Sequence, residues 1–421
     1  MARCPPERVG AGCVMAPASP PAILREDLLS SCVHCGFCLE ACPTYQLTGD
    51  ENNSPRGRLR LWREEAEKRL APDPWTAFYT SECVGCLACE PACPARVPYG
   101  KILEETRHQH VSQGRWNPKP ALRLAAAGVS HPALFNLALL PARCLRGLGL
   151  LPHPLVFAGR PAPLKSTATY AAEQMAQHRP TGPRVALLTG CLMEALFREI
   201  NFATVRVLIA HNVQVVVPEG QGCCGAFLEH AGLNGVEKMR QTNRRAFASP
   251  GVECAVTNSA GCGLALGKTL GQALPVRDVL GFLAEVGLRP PPHRHPGARV
   301  YVDLPCHLVH GQGATIPTEV LEATGYRWEW APQARDCCGS GGIYNLQKKE
   351  NARAILKKKS AFLHKAEGDP VILATANHVC MMQWNSAHWG GMVPRPFLVR
   401  HVIQLLEKDD SMIARQVKSP A

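Results

Sequence analysis

Two runs of four cysteines are the residues with the clearest chemistry in this sequence. They are Cys32, Cys35, Cys38 and Cys42 in the first run, and Cys83, Cys86, Cys89 and Cys93 in the second. Four thiolates so close in sequence can surround one cubic iron–sulfur cluster. Structural zinc is the alternative, but zinc sites bring cysteines in pairs that a long loop separates, not in triplets. The spacing therefore predicts two 4Fe-4S clusters.

The segment between the two runs is predicted to be helical. Ser54 and Pro55 are typical of the N-cap and first position of a helix, and a second short helix is expected from Trp75 to Ser81. The cysteine spacing matches that of two-cluster ferredoxins, in which the fourth cysteine of one run ligates the cluster of the other. Residues 23–112 are therefore predicted to form a small helical ferredoxin domain, not the compact βαβ kind.

Three arginines crowd the first turns of the helix that begins at Pro55. They are Arg56, Arg58 and Arg60, and the helix dipole disfavours cations at that end. Either they form a solvated basic face, or their guanidinium groups offset the negative charge of a cluster or contact a partner. The sequence leaves both interpretations open.

Eight more cysteines follow predicted strands in the C-terminal half of the chain. Strands alternate with helices there, which predicts parallel sheets with covered faces. The cysteines form two matching sets whose members lie 114 to 118 residues apart: Cys191, Cys223, Cys224 and Cys262, then Cys306, Cys337, Cys338 and Cys380. A cysteine-rich α/β domain is thus predicted twice, over residues 181–290 and 297–408, with Pro290 to Pro296 as the joint.

These eight cysteines are candidate cofactor-binding residues. Ligands gather at the carboxyl ends of parallel strands, so each set should converge at one edge of its sheet and could hold a further iron–sulfur cluster. Ordinary buried thiols and a thiol–disulfide centre are the alternatives. His307 and His310 follow Cys306 closely. They either ligate iron or relay a proton, or they only form hydrogen bonds at the start of a helix.

A basic, apolar connector is expected over residues 113–180. No acidic residue occurs between Thr106 and Ala172, and the apolar stretches 133–140 and 145–157 are broken by prolines. A packed helical connector is the favoured interpretation. The alternative is a segment that lies on a membrane surface near a quinone pool.

The composition excludes several classes of protein. A chain of 421 residues with 20 cysteines is not a short secreted disulfide scaffold, and no apolar run reaches the length of a membrane span. Residues 1–22 are expected to be a disordered lead-in without a signal-peptide core. No dinucleotide glycine motif indicates a flavin site. A cytoplasmic protein is therefore expected, with peripheral contact at the inner face of the membrane as the alternative.

The net charge narrows the choice of partner. The formal charge of +12 partly compensates for anionic clusters, and the remainder suits an acidic partner or an anionic surface. Nucleic acid is not expected as a partner, because aromatic residues are sparse and no helix carries a dense basic stripe.

From about Ile23 to Glu407 the chain resembles the iron–sulfur subunit of glycolate oxidase (glycolate dehydrogenase). Seven segments carry the resemblance: Cys32-Val33-His34-Cys35-Gly36-Phe37-Cys38, Cys42-Pro43-Thr44-Tyr45-Gln46-Leu47, Ser54-Pro55-Arg56-Gly57-Arg58, Gly222-Cys223-Cys224-Gly225, Ser259-Ala260-Gly261-Cys262-Gly263, Cys337-Cys338-Gly339-Ser340 and Thr375-Ala376-Asn377. The resemblance implies an α+β multi-domain protein with a helical ferredoxin domain and duplicated cysteine-rich domains.

The resemblance also implies a function. Such a subunit would carry electrons from FAD-containing glycolate oxidase subunits, which oxidise glycolate to glyoxylate, to a quinone or another acceptor, and would have no catalytic residue of its own. It implies crossed ligands: Cys32, Cys35, Cys38 and Cys93 for one cluster, and Cys83, Cys86, Cys89 and Cys42 for the other. A carrier subunit of a lactate or glycerol-3-phosphate dehydrogenase, and a heterodisulfide-reductase-like thiol/disulfide reductase, are the alternatives.

Two departures concern the cysteine-rich repeats. The related heterodisulfide reductase subunit ends each unit with Cys-x-x-Cys, whereas no cysteine follows Cys262 or Cys380 at that spacing. A fifth thiol is therefore missing from each unit, which argues against disulfide reduction on a five-thiolate cluster. The second copy also has Val379 where the first has Gly261, so an altered or empty second site is expected.

Overall fold

The structure is a computed structural model that describes residues 26–131, 135, 137–141, 164–248, 251–288, 297–393 and 396–407. The predicted lead-in at 1–22, the joint from Pro290 to Pro296 and most of the apolar stretches of the connector lie outside the described residues.

The N-terminal part of the chain is helical, as predicted. Its helices are Glu26–Ser30, Pro43–Thr48, Pro55–Ala66, Pro74–Ser81 and Tyr99–Ser112. Ser54 caps the third of these by accepting a hydrogen bond from the amide of Gly57, and Asp73 caps the fourth through the amide of Thr76. The fully buried Trp62 packs in the core between the helices and the cysteine loops. The two cysteine runs are therefore loops held by a small helical core.

Two four-stranded parallel sheets make up the C-terminal part. The first repeat contains β1 (Arg184–Leu187), β2 (Gln214–Val216), β3 (Cys254–Thr257) and β4 (Val276–Asp278), in the order β2-β1-β3-β4. The second contains β5 (Arg299–Asp303), β6 (Arg327–Trp330), β7 (Val371–Thr375) and β8 (Leu398–His401), in the order β6-β5-β7-β8. The identical strand order confirms the predicted duplicated α/β domain.

Helices cover both sheets. Those of the first repeat are Cys191–Leu196, Arg198–Ala210, Ala226–His230, Val236–Ala246, Ala260–Leu270 and Val279–Val286. Those of the second are Thr318–Ala323, Tyr344–Gln347, Lys349–Ser360, His378–Trp389 and Val402–Leu405, with a π-helical turn at His307–Gly311. Helices Pro120–Val129 and Thr167–His178 belong to the connector region, and the second of these packs on Arg198–Ala210.

Two helical stretches of the first repeat are each divided. Helices Ala226–His230 and Val236–Ala246 are separated where Gly232 and Gly235 adopt positive φ. A Cβ on Gly232 would come within 2.6 Å of the Arg107 carbonyl oxygen, so close packing against the ferredoxin domain requires the glycine. Helices Cys191–Leu196 and Arg198–Ala210 are separated at Phe197.

The two repeats share one core. Buried side chains from β1 and β3 and from β5, β7 and β8 belong to a single apolar cluster. The amide of Ala260 donates to the carbonyl oxygen of Ala376, and the ring of His401 lies 2.9 Å from the carbonyl oxygen of Asn258. The cysteine-bearing ends of the two sheets are thereby held against each other.

The ferredoxin domain packs closely on the second repeat. The buried Glu82 forms an ion pair with Lys348 and accepts a hydrogen bond from Asn351. Gly341 adopts a φ of +51°, and a Cβ there would lie 2.5 Å from the carbonyl oxygen of Val84. Only a glycine permits this approach, which brings the second cysteine run to the surface of the second repeat.

A search of the described helices found none that is both long and apolar enough to cross a membrane.

Candidate iron–sulfur centres

The first cysteine group consists of Cys32, Cys35, Cys38 and Cys93. These four residues border one pocket, which Cys89 also borders. Three come from the first run, and the fourth comes from the second. The loop that carries the first three turns sharply, because His34 and Gly36 both adopt positive φ. The residues for which crossed ligation was predicted therefore face common space.

The second cysteine group consists of Cys42, Cys83, Cys86 and Cys89, all of which are buried. The thiol of Cys42 lies 3.3 Å from the hydroxyl of Thr44, and the phenol of Tyr99 donates to Cys83 Sγ at 3.6 Å. Cys42 and Cys83 are both within electrostatic range of Cys89. The four thiols thus lie in the interior, together with polar groups that can donate to sulfur.

Two buried arginines lie beside the second cysteine group. Arg58 is fully buried, donates to Tyr79 O and Thr44 Oγ1, and interacts electrostatically with Cys42 and Cys83. Its Nη1 has no hydrogen-bond partner among the described residues. Arg107 donates to Cys83 O, and its Nε likewise lacks a partner within the described chain. Incompletely paired buried cations are costly, so an anionic group on the second cysteine group would offset their charge.

Burial makes two of these thiols difficult to ionise in the absence of a metal. Burial raises the pKa of Cys38 to about 11 and that of Cys89 well above its usual range. Such thiols ionise when a metal supplies positive charge. Among the described residues, no three His, Cys, Asp or Glu side chains are arranged to hold a single metal ion. The pocket of the first cysteine group and the buried arginines beside the second group instead suit a multi-atom anionic cluster.

The third cysteine group consists of Cys191, Cys223, Cys224 and Cys262 of the first repeat. Cys223 interacts with Cys191 and Cys224, and Cys224 interacts with Cys262. Hydrogen bonds from Cys223 and Cys262 hold the pKa of Cys224 well below its usual range. Gly225, at φ +91°, directs its amide towards Cys223 Sγ at 3.5 Å. The four thiols converge at the strand ends.

The fourth cysteine group consists of Cys306, Cys337, Cys338 and Cys380 of the second repeat. Cys306 interacts with Cys337, and Cys338 interacts with both Cys337 and Cys380. The amide of Gly339 donates to Cys337 Sγ at 3.3 Å, as Gly225 does in the first repeat. The two groups are therefore built in the same way, and the replacement of Gly261 by Val379 does not prevent the thiols from converging.

A buried ion pair distinguishes the fourth group from the third. Lys359 Nζ lies 2.5 Å from Asp303 Oδ1, and the pair interacts with Cys338. Trp384 Nε1 donates to Asp303 Oδ2 at 2.8 Å. In the first repeat the helix after the paired cysteines instead supplies the neutral Asn243, which bonds Cys223 O. The surroundings of the two groups thus differ in charge although the thiols match.

The second and fourth groups are in contact. Val84 and Cys86 pack in one buried cluster with Cys337 and Tyr344, and Cys306 lies against it. The third group contacts the fourth through the repeat interface, where Ser259 lies beside Cys262 and hydrogen-bonds Asn377. The four groups therefore form a sequence of neighbours from the exposed Cys35 to the first repeat.

The two histidines after Cys306 have backbone partners. His307 Nε2 lies 2.9 Å from the carbonyl oxygen of Gly85, and His310 Nε2 lies 3.1 Å from that of Arg335. His307 also stacks on His230 of the first repeat, with ring centroids 5.3 Å apart. These contacts favour the hydrogen-bonding interpretation, with His307 located where both repeats contact the ferredoxin domain.

Comparison with known proteins agrees with this architecture. Residues 28–97 match the model of the 4Fe-4S dicluster domain, and residues 185–267 and 300–385 each match that of the cysteine-rich domain. The probable glycolate oxidase iron–sulfur subunit of Bacillus subtilis is 31% identical over 403 residues, covering 86% of this chain and 89% of the relative. The glycolate oxidase iron–sulfur subunit of Escherichia coli is 32% identical over 418 residues, covering 92% and 95%.

The chain belongs to the glycolate oxidase iron–sulfur subunit family. Membership confirms the resemblance, the fold class and the iron–sulfur cofactors, and it makes the chain an iron–sulfur electron-transfer subunit. A more distant relative, lactate utilization protein A of Geobacillus kaustophilus, is 25% identical over 244 residues, which cover 53% of this chain and 98% of that protein. The ligand role of each cysteine stays a prediction in this family member.

Sequence reasoning missed several residues around the cysteines. Arg58 was one of three undecided arginines, and the structure favours the charge-offsetting interpretation for it. Arg60 pairs with Glu64, whereas Arg56 pairs with Glu51 and also borders the pocket of the first cysteine group. Arg107 and Lys359 gave no sequence signal. Their roles depend on burial beside cysteines that lie far away in the chain.

Proposed function

We propose that this chain is the iron–sulfur subunit of a complex that oxidises glycolate to glyoxylate. FAD-containing partner subunits would carry out the oxidation, and this chain would conduct electrons from the flavin to an acceptor. The observation that carries the proposal is family membership over nearly the full length of two glycolate oxidase iron–sulfur subunits. No catalytic residue is assigned to this chain.

The arrangement of the cysteine groups supports a conducting role. Bound iron–sulfur clusters would supply one-electron carriers at each position. Cys35 of the first group is exposed, whereas the second group is buried against the fourth. Contact between successive groups keeps the positions close. Electrons from a partner would therefore enter at the first group and move towards the repeats.

The acceptor is proposed to be a membrane quinone, with this chain in peripheral contact with the membrane. The connector supports the idea, because Leu124, Leu137, Leu140 and Leu164 are exposed in a segment without acidic residues. Apolar side chains with basic neighbours suit the surface of an anionic bilayer.

A carrier role in lactate oxidation is the second candidate, because lactate utilization protein A matches almost completely within this chain. The native complex distinguishes the two functions. It should be isolated with its flavoprotein and assayed for dye reduction with glycolate, D-lactate and glycerol-3-phosphate. The proposal expects glycolate to be the best donor; activity with D-lactate alone would overturn it.

A further inference from the structure

The first cysteine run presents an exposed apolar surface. Val33 is 69% exposed and Phe37 is 68% exposed, and they lie on either side of the exposed Cys35. We call Val33, Cys35 and Phe37 the Val33 surface. Large apolar side chains at such exposure are normally isolated, whereas these two flank a residue of the first cysteine group. The surface therefore combines apolar contact area with access to a redox position.

The corresponding surface of the second cysteine run is buried against another domain. Val84 occupies the position that corresponds to Val33, and the loops match in backbone conformation, since His34 and Gly36 adopt positive φ as Gly85 and Leu87 do. Yet Val84 is only 2% exposed. It is covered by Tyr344 and Cys337 of the second repeat. In the second run this surface therefore docks a redox domain.

We infer that the Val33 surface docks a second redox protein, the electron-donating subunit, in the way that Val84 docks the second repeat. This inference rests on the proposed function, because it names the place where the flavoprotein contacts this chain. A partner that buries Val33 and Phe37 also approaches Cys35, so that apolar contact and electron entry occur at one position. Aromatic side chains are enriched in such interface centres.

The charge around the surface indicates the chemistry of the partner. Arg56 Nη1 donates to the carbonyl oxygen of His34 at 3.3 Å, and Arg56 borders the same pocket as Val33 and Cys35. The side chain of Arg60, on the same helix, is 57% exposed. Guanidinium groups therefore lie beside the Val33 surface, and the partner should carry carboxylates around an apolar centre. Such complementarity mainly accelerates association.

The test uses the complex with glycolate as electron donor. The double variant Val33→Ser/Phe37→Ser should bind the flavoprotein roughly tenfold more weakly, as expected when two central interface side chains are truncated. Glycolate-dependent cluster reduction should slow in parallel, whereas reduction by dithionite and the iron content should stay unchanged. Leu346→Ser is the matched control, since Leu346 is 45% exposed on the second repeat; it should leave affinity and rate unchanged.

A charge variant adds an independent measurement. Arg60→Glu should slow association with the flavoprotein severalfold and reduce its dependence on salt, while Arg123→Glu on the connector should not. Wild-type affinity of the double variant, or an equal loss in the Leu346 variant, would overturn the inference. So would a wild-type chain that forms a dimer which the double variant abolishes, because the surface would then bind a second copy. A wild-type complex that fails with glycolate would instead refute the proposed function.

Discussion

Ser259 Oγ donates a 3.0 Å hydrogen bond to Asn377 Oδ1 across the interface of the two repeats. The two residues occupy corresponding positions, each three residues before the last cysteine of its group. Asn377 Nδ2 in turn donates to Cys380 Sγ at 3.3 Å, and Ser259 interacts with Cys262. The third and fourth cysteine groups are thus joined by a short chain of buried hydrogen bonds.

The first prediction concerns this bridge. Asn377→Ala should lower the reduction potential of any cluster on the fourth group, because N–H donors to sulfur stabilise the more negative, reduced state. It should also destabilise the fold by about 1–3 kcal/mol, since Ser259 loses a buried partner. A redox titration followed by electron paramagnetic resonance measures the potential. Asn345→Ala, which removes a bond to Gln383 instead, is the control; equal shifts in both variants would refute the role of the bridge.

The second prediction concerns crossed ligation. Cys93→Ser should remove the cluster of the first cysteine group, although Cys93 belongs to the second run, and Cys42→Ser should remove that of the second group. Spectra of the reconstituted variants would show which signal disappears. Cys254→Ser should retain both signals, because Cys254 is a strand residue outside all four groups. If Cys93→Ser and Cys83→Ser remove the same signal, the ligands are not crossed.

The third prediction concerns Arg58. Arg58→Met should lower the potential of the second group, because a buried cation favours the reduced, more negative state of a neighbouring cluster. Arg58→Lys keeps the charge and should shift the potential less. Arg60→Met, on the exposed side of the same helix, should have little effect. A potential that is unchanged in a correctly loaded Arg58→Met variant would show that Arg58 only supports the fold.

The fourth prediction concerns Asp278. Burial raises its pKa from 3.8 to about 7, and Oδ2 has no hydrogen-bond partner in the described part of the chain. In the unfolded chain, the Asp278 carboxyl ionises near pH 3.8. The free energy of unfolding therefore falls as the pH rises from about 4 towards 7, and this contribution is constant at higher pH. Asp278→Asn keeps the oxygen that caps Leu280 and should remove this loss.

Above about pH 7, the Asp278→Asn variant should therefore unfold at a higher temperature than the wild type. The expected gain in the free energy of unfolding is a few kcal/mol, at about 1.36 kcal/mol per pKa unit. The two proteins should converge below about pH 4. Asp303→Asn is the contrasting variant, because it leaves Lys359 unpaired and should destabilise the fold at neutral pH. A constant difference between wild type and Asp278→Asn across this range would contradict the prediction.

Sequence patterns located most of the regular structure. Strands β3 and β7 are fully buried, as the predicted parallel sheets with covered faces require. Strands β4 and β8 are short and end in polar residues, so a hydrophobic pattern indicates them poorly. Those polar residues, Asp278 and His401, cap the helices that follow. Their burial follows from the helix caps and from the repeat interface, neither of which a hydrophobic pattern contains.

The cysteines of the site were all predictable, because thiols at fixed spacing have few other uses. The order in which the four cysteine groups contact one another could not be predicted. Contact between Cys86 and Cys337 depends on the glycine at 341 and on how two domains pack. The same holds for Arg58, because its burial is not shared by Arg60 on the same helix. Cysteine spacing indicates which residues bind one cluster, whereas the packing of the domains determines which cysteine groups are close enough to exchange electrons.

The most direct test of the account is to add glycolate anaerobically to the isolated complex and record electron paramagnetic resonance spectra at short times. The account predicts that signals of reduced 4Fe-4S clusters on this chain appear at a rate compatible with turnover. Clusters that dithionite reduces but glycolate does not, while the flavin is reduced, would contradict it.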